Sequence, residues 1–204
     1  MSEDMAAYRT RVEKAASWLR ERTSGFQPQY GIILGTGLGG VAKEIRDATR
    51  FPYQEIPGFP VSTSPGHSGT LHWGWLGEVP VLAFEGRLHV YEGYSPLDIT
   101  LSVRVLARLG ATDMVITNAC GGMNRDYQKG DLLIIDDHIN LLGINPLTGS
   151  NIDEWGPRFP DMSAPYHRDH IRKLEEIAQE EQIRAHTGVY VAVAGPNLET
   201  RAEY

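Results

Sequence analysis

The sequence is poor in cysteine, in long apolar runs and in signals for export. Its 204 residues contain a single cysteine, Cys120, so no intramolecular disulfide can form. One thiol beside seven histidines is typical of a reducing compartment, and we expect a cytoplasmic protein. No apolar run approaches the roughly 20 residues of a membrane-spanning helix, and the charged N-terminus lacks the apolar centre of a signal peptide. We therefore expect no membrane partner.

Basic residues are outnumbered by acidic ones. The chain has 19 Lys and Arg against 26 Asp and Glu, which gives a formal net charge of −7. Proteins that bind nucleic acid usually present a broad basic face, so we expect no nucleic-acid partner. A small anion needs only a few local positive groups, and such a ligand remains compatible with this composition.

Short apolar segments alternate with amphipathic ones along the chain. This alternation predicts an α/β fold, a three-layer αβα sandwich with helices on both faces of a mixed central sheet, formed by a single domain over residues 1–204. Two stretches rich in proline and glycine, 50–69 and 143–165, are predicted to be irregular. The predicted strands are 30–35, two strands within 70–86, 113–122, 131–139 and 187–196, and the predicted helices are 4–22, 95–110 and 166–184.

Two of the predicted helices carry specific signals. In helix 95–110, Ser95 suits the N-cap, Pro96 the first helical position and Gly110 the C-terminal stop. In helix 166–184, an apolar stripe is predicted to face inward. That stripe consists of Ile171, Leu174, Ile177 and Ala178.

The segment "ILGTGLGG", residues 33–40, fits the spacing G-x-G-x-x-G after a predicted strand. A dinucleotide-binding fold also needs a full helix and an acidic residue about 20 positions on, at the end of a second apolar strand. Glu55 lies near that distance but precedes Ile-Pro instead of ending a strand. Backbone N–H groups of such a turn, together with the Thr36 hydroxyl, suit a single phosphate. A nicotinamide-dependent oxidoreductase and a turn without a ligand remain alternatives.

Further polar groups follow other predicted strand ends. His67 lies between glycines in "PGHSG", and Arg87 and His89 lie two residues apart in "EGRLHVYEGY". Asn118 and the backbone amide of Ala119 follow the strand in "TNACGG". Arginine offers a fork of donors that fits phosphate, and ligands in open α/β sheets gather at strand ends. The pattern predicts an anion site, although each residue alone also suits a surface or turn role.

These segments together resemble the trimeric purine nucleoside phosphorylase family, in the family's order from about residue 30 to the end. The resemblance implies phosphorolysis of inosine- or guanosine-type nucleosides to a free purine base and ribose 1-phosphate, in purine salvage. It implies a homotrimer and no metal or organic cofactor, with inorganic phosphate as co-substrate. The matching stretches are "GIILGTGLGG", "PGHSGTLHWG", "EGRLHVYEGYSP", "TNACGGMN", "GDLLIIDDHINLLGINPLTG", "RFPDMSAPY" and "VAVAGPNLETRAEY".

The same resemblance implies roles for individual residues. His89 and Glu199 are implied as catalytic, with Glu199 hydrogen-bonded to the purine ring, and a carboxylate that starts a helix is the alternative reading of Glu199. Phe159 is implied to reach a neighbouring subunit's site. The implied phosphate-binding residues are Thr36, His67, Arg87, His89 and Ala119. The implied nucleoside-binding residues are Tyr91, Ala119, Gly121, Phe159, Leu198 and Glu199.

The chain departs from the family pattern in three ways. Thr36 stands where serine is common, and Leu198 stands where an aromatic residue is common. The C-terminal part of the family domain is expected to be missing, which opens an alternative: a non-catalytic protein that binds phosphate or purine or associates with other chains. Methylthioadenosine phosphorylase is a further alternative. Cys120 is predicted to be a buried thiol behind the phosphate loop, and no residues have metal-ligand spacing.

Overall fold

A computed structural model of the chain describes residues 5–24, 26–61 and 69–203. Contacts between residues divide it into two compact units, Met1–Cys120 (unit 1) and Gly121–Tyr204 (unit 2). The single domain expected over residues 1–204 stays a prediction, and each unit is described here by itself.

Unit 1 is built on a five-stranded sheet with the order β2-β3-β4-β1-β5. Strand β1 is parallel to both β4 and β5, whereas β3 is antiparallel to both β2 and β4. The predicted mixed central sheet is therefore confirmed. The strands are β1 (Tyr30–Leu34), β2 (Arg46–Pro52), β3 (Thr70–Leu76), β4 (Val79–Glu85) and β5 (Asp113–Ile116).

Helices cover both faces of this sheet. Four helices belong to unit 1, namely α1 (Met5–Arg22), α2 (Gly39–Lys43), α3 (Pro96–Ile99) and α4 (Leu101–Leu109). Helix α1 packs against α4 and places Trp18 edge-on to Phe51, with ring centroids 5.4 Å apart. Helix α2 covers the opposite face, where Ala42 joins a buried cluster with Leu34 and Ala83. The predicted arrangement of helices on both faces follows.

The approach of α4 to the sheet depends on one glycine. A Cβ atom placed on Gly31 would lie 2.4 Å from Leu106 Cδ1, well inside van der Waals contact. Leu106 is 3% exposed, so its side chain has little room to move away. A glycine in the middle of β1 therefore allows the buried face of α4 to reach the sheet.

The predicted helix over 95–110 is two helices. Ser95 caps α3 as expected, because its side chain accepts from the Asp98 backbone N–H while the Asp98 carboxylate accepts from the Ser95 backbone N–H. Thr100 ends α3 and precedes α4 with φ −90° and ψ 2°. Gly110 ends α4 in the left-handed conformation with φ 95°, as its position predicts.

Strand β2 corrects the prediction that 50–69 is irregular, because residues 50–52 belong to a strand that starts at Arg46. Its composition is polar, and Pro52 closes it. Such a sequence is compatible with an edge strand, which forms ladder hydrogen bonds on one side only, and β2 lies at the edge of the sheet. Pairing with β3, rather than its own apolar pattern, makes it a strand.

Unit 2 contains a two-stranded parallel sheet and one helix. The strands are β6 (Leu132–Asn140) and β7 (Ala185–Ala192), and the helix is α5 (Arg168–Glu180). The apolar face predicted for α5 is buried only at Ala178, since Leu174 is 47% exposed and Ile177 is 38% exposed. The prediction that these two side chains face inward is therefore wrong. Across the described ranges of both units, no helix combines the length and apolar character needed to cross a membrane.

Candidate functional site

Three parallel strands of unit 1 end at one edge of the sheet. Strand β1 lies between β4 and β5, and the register pairs Leu34 with Glu85 and Ile33 with Ile116. The segments that follow these strands, 35–40, 86–89 and 117–120, therefore leave the sheet side by side. The chain passes from β1 to β4 on one side and later to β5 on the other, and such a switch point favours a ligand site at the strand ends.

The glycine loop 35–40 is held against the segment that follows β5. The Gly35 N–H donates to Thr117 Oγ1 at 2.9 Å, and the Thr117 hydroxyl donates to the Ile33 carbonyl at 3.1 Å. A Cβ atom on Gly35 would lie 2.5 Å from the Thr117 carbonyl oxygen. Gly37 turns the loop with φ 87°. Thr36, between these two glycines, is exposed at the strand edge.

Arg87 joins the second segment to the third. Its Nη1–H donates to the Thr117 carbonyl at 2.9 Å, and its Nε lies 3.5 Å from His89 Nε2. The residue before it is fixed as well, because the buried Tyr53 hydroxyl donates to the Gly86 carbonyl at 2.7 Å. Burial and the nearby negative charge of Glu85 both raise the pKa of Tyr53, which keeps this hydroxyl a donor. A guanidinium and an imidazole thus meet beside the glycine loop.

His89 is oriented by a residue that the sequence reasoning missed. The Glu92 Oε1 atom accepts from the His89 backbone N–H at 2.9 Å and lies 2.8 Å from His89 Nδ1. The Glu92 side chain is only 3% exposed. A carboxylate can only accept, so Nδ1 carries the proton and Nε2 is left as the ring atom nearest Arg87. The His-x-x-Glu spacing of a capping box could have identified Glu92.

Tyr91 and Ala119 are the remaining predicted site residues in the described part of unit 1. The Tyr91 ring stacks on His89 with centroids 4.8 Å apart and 18° between planes, and Tyr91 is 50% exposed. Ala119 follows Asn118, whose Nδ2 donates to the Ala119 carbonyl at 3.2 Å. His67 falls in 62–68, outside the described residues. Thr36, Arg87, His89 and Ala119 therefore come from three neighbouring segments at one edge.

The prediction for Cys120 is wrong, because the thiol is exposed rather than buried. The residues after β5 leave the sheet at Ile116 and run along its edge, so a side chain four residues later has no core to enter.

The remaining predicted residues belong to unit 2. Phe159 is 87% exposed, with the Arg158 guanidinium 5.7 Å from the centre of its ring. Leu198 is 85% exposed, and Gly121 and Glu199 are exposed as well. Glu199 does not start a helix, since residues 198–200 are irregular and a turn follows. The base-pocket and sugar-cover roles of these residues stay predictions.

Within the part of the chain that the structure describes, no group of three or more His, Cys, Asp or Glu side chains is arranged to hold a metal ion. The expectation of no cofactor stays a prediction.

Comparison with known proteins extends these observations. The family profile described as "Phosphorylase superfamily" matches residues 29–204. Purine nucleoside phosphorylase 1 of Bacillus subtilis (strain 168) is 47% identical over 193 residues, which cover 95% of this chain and 71% of that protein. Purine nucleoside phosphorylase of Mus musculus is 44% identical and is covered over 68% of its length, with 94% of this chain aligned.

Solved structures give the same result. Isoform 2 of purine nucleoside phosphorylase from Schistosoma mansoni, in complex with cytosine and ribose-1-phosphate, superposes with a TM-score of 0.88 at 42% identity. That match covers 95% of this chain and 70% of the solved chain. The fold, the family profile and the identity to several relatives agree, and the chain is a member of the purine nucleoside phosphorylase family within the phosphorylase superfamily.

Proposed function

We propose that this protein catalyses the phosphorolysis of purine nucleosides, with inosine and guanosine as the substrate class, in purine salvage. Its relatives carry the name purine nucleoside phosphorylase, and the chain is 47% identical to one of them. The observation that carries the proposal within the structure is the meeting of Thr36, Arg87, His89 and Ala119 at one sheet edge. This arrangement supplies hydroxyl, guanidinium, imidazole and amide groups to one small anion.

In the proposed reaction, a phosphate oxygen forms a bond to C1′ of the ribose as the bond from C1′ to the purine nitrogen breaks. The bonding electron pair leaves with the base. Hydrogen phosphate gives up its proton as the new bond to C1′ forms, and the departing base gains one proton. Because Arg87 and His89 hold phosphate beside the ribose, the reaction does not depend on a chance encounter of the two reactants. The negative charge of phosphate also stabilises the positive charge that develops on the sugar.

The nucleoside is assigned to residues by the family resemblance. We propose that Tyr91, whose ring is half exposed beside His89, contacts the ribose, and that Glu199 hydrogen-bonds the purine. Gly121, Leu198 and the exposed Phe159 complete the proposed nucleoside site. Phe159 would act on a neighbouring copy, so we propose a homotrimer in the cytoplasm, without a metal or organic cofactor.

A product assay tests the proposal. Purified chain is incubated with inosine in the presence and absence of inorganic phosphate, and hypoxanthine and ribose 1-phosphate are quantified. We expect both products in equal amounts and only with phosphate present, and slower turnover of methylthioadenosine than of inosine. Formation of free ribose without phosphate, or no product from inosine and guanosine, would contradict the proposal.

A further inference from the structure

A histidine–carboxylate pair, formed by a buried histidine and a partly buried glutamate, lies at the same sheet edge and takes no part in the proposed chemistry. His72 of β3 is 5% exposed, and its Nε2 lies 2.8 Å from Glu85 Oε2. The register pairs His72 with Ala83 and Thr70 with Glu85, so His72 and Glu85 are diagonal neighbours on one face of the sheet. Because a carboxylate only accepts, the Nε2–H donates to Glu85.

Glu85 occupies the junction between two segments of the candidate phosphate site. It is the last residue of β4, two residues before Arg87, and it pairs with Leu34, the last residue of β1 before the glycine loop. A Cβ atom on Gly39 would lie only 3.0 Å from Glu85 Oε1. One carboxylate oxygen therefore lies against His72, and the other lies beside Gly39, where the absence of a side chain leaves room for it.

The pair carries two unfavourable features. A carboxylate so near an anion site opposes phosphate by Coulomb repulsion. The other ring nitrogen of His72, Nδ1, is buried and has no hydrogen-bond partner among the described residues, which is costly for a polar atom. An apolar residue at position 72 would avoid both the buried polar atom and the need for a carboxylate partner. In exchange for these costs, the pair places Glu85 Oε1 beside the glycine loop at Gly39.

We propose that Glu85, held by His72, is a positioning residue for the phosphate site. Its carboxylate packs against Gly39 and so sets the glycine loop 35–40, and its place in the chain sets the start of 86–89. The inference rests on the proposed function, because the phosphate site belongs to that proposal. It assigns to the His72–Glu85 pair a role that acts through the loop rather than by contact with phosphate.

Calorimetric titration with inorganic phosphate tests the proposal. Loss of the charge repulsion would strengthen phosphate binding, whereas loss of support for the loop would weaken it. Removal of the carboxylate in Glu85→Ala removes a repulsion, yet we expect phosphate binding to weaken by about tenfold as the loop loses its support. Glu85→Gln keeps a carbonyl acceptor for His72, and its affinity is expected to stay within about threefold of the parent. Glu78→Ala is the matched control, since Glu78 lies in the turn between β3 and β4 with its side chain 95% exposed.

A second pair of variants approaches the same contact from the other side. His72→Leu removes the donor at similar volume and is expected to weaken phosphate binding, whereas His72→Gln returns an N–H near the position of Nε2 and is expected to restore it. In turnover, the KM for phosphate should rise while the KM for inosine stays constant. Circular dichroism of each variant checks folding. If the variants at one of the two positions, 72 or 85, fail to fold, the variants at the other position test the positioning role.

The outcomes separate this inference from the proposed function. Tighter or unchanged phosphate binding by Glu85→Ala, or equal rises in both KM values, would overturn the positioning role while the parent still turns over inosine with phosphate. A parent chain that binds no phosphate would overturn the proposed function, and this inference with it.

Discussion

The two units of the chain differ in how completely they bury their apolar residues. In unit 1, Leu71 and Leu82 are 0% exposed, whereas in unit 2 Leu132 is 52% exposed and Val189 is 54% exposed. The same alternation of apolar segments predicts both regions, but five strands with helices on both faces shield a core that two strands and one helix do not. The segments that carry Arg87 and His89 therefore follow strands of the well-packed unit 1, and the core of that unit supports their positions.

The largest expected difference between the two units is in the effect of a substitution on stability. Leu82→Ala removes a fully buried side chain of β4 and is expected to lower the free energy of unfolding by about 2–5 kcal/mol. Leu132→Ala is the matched variant in unit 2, and because Leu132 is 52% exposed the expected loss is under about 1 kcal/mol. Urea titration followed by fluorescence measures both, and equal losses would remove the distinction between the units.

The next effect concerns the contact of the glycine loop with the segment after β5. In Gly35→Ala, the new Cβ would lie 2.5 Å from the Thr117 carbonyl oxygen, a backbone atom that cannot move without shifting the strand end. We expect about 1–3 kcal/mol of destabilisation together with weaker phosphate binding. Gly40→Ala serves as the control, because a Cβ there meets no atom within 4 Å, and it should leave both quantities unchanged.

A smaller effect tests whether Glu92 orients His89. Glu92→Ala removes the acceptor of both His89 N–H groups, and we expect kcat to fall by about tenfold, which corresponds to about 1.4 kcal/mol. Glu92→Gln keeps a carbonyl acceptor and should recover most of that activity. If both variants keep the parent kcat in steady-state assays with inosine, Glu92 does not position His89.

The smallest effect is on pH dependence in unit 1. Burial raises the pKa of Asp98, but hydrogen bonds from Ser95 and Arg11 and the charge of Arg11 outweigh it, so the net pKa is lowered. A lowered folded-state pKa stabilises the fold above the unfolded value of about 3.9, and this is lost as pH falls through the folded pKa. Ser95→Ala should cost about 0.5–1 kcal/mol at pH 7. The cost should fall at acid pH, because the bonds from Ser95 to the Asp98 carboxylate lose strength when Asp98 is protonated, while the bond from the Asp98 N–H to Ser95 Oγ is lost at every pH. A loss in thermal melts that is equal at neutral and at acid pH would contradict this.

Most elements could be predicted from the sequence because apolar periodicity and glycine punctuation mark them locally. Helix α1, the β3–β4 hairpin and the Gly110 stop are examples. Strand β2 could not be predicted in the same way, since Arg46–Pro52 is polar and becomes a strand only by pairing with β3. The break at Thr100 within 95–110 also gives no composition signal.

The candidate site divides along similar lines. Arg87, His89 and Ala119 could be placed together because they follow apolar strands, and the carboxyl ends of parallel strands meet at one edge. Glu92 was missed although the His-x-x-Glu spacing of a capping box marks it. The His72–Glu85 pair was missed because its contact depends on a diagonal register that a sequence does not display. Cys120 was misjudged because β5 ends at Ile116, where its apolar run ends, whereas the predicted strand extends to residue 122.

We expect the strand ends of unit 1 to hold phosphate through Arg87. Calorimetric titration of inorganic phosphate into the parent chain, Arg87→Ala and Arg46→Ala tests it most directly, because Arg46 pairs with Glu78 on the surface, where its side chain is 62% exposed. We expect one saturable site per chain in the parent and in Arg46→Ala, with affinity reduced at least about thirtyfold in Arg87→Ala. Equal binding by the parent and Arg87→Ala, or no binding by the parent, would contradict it.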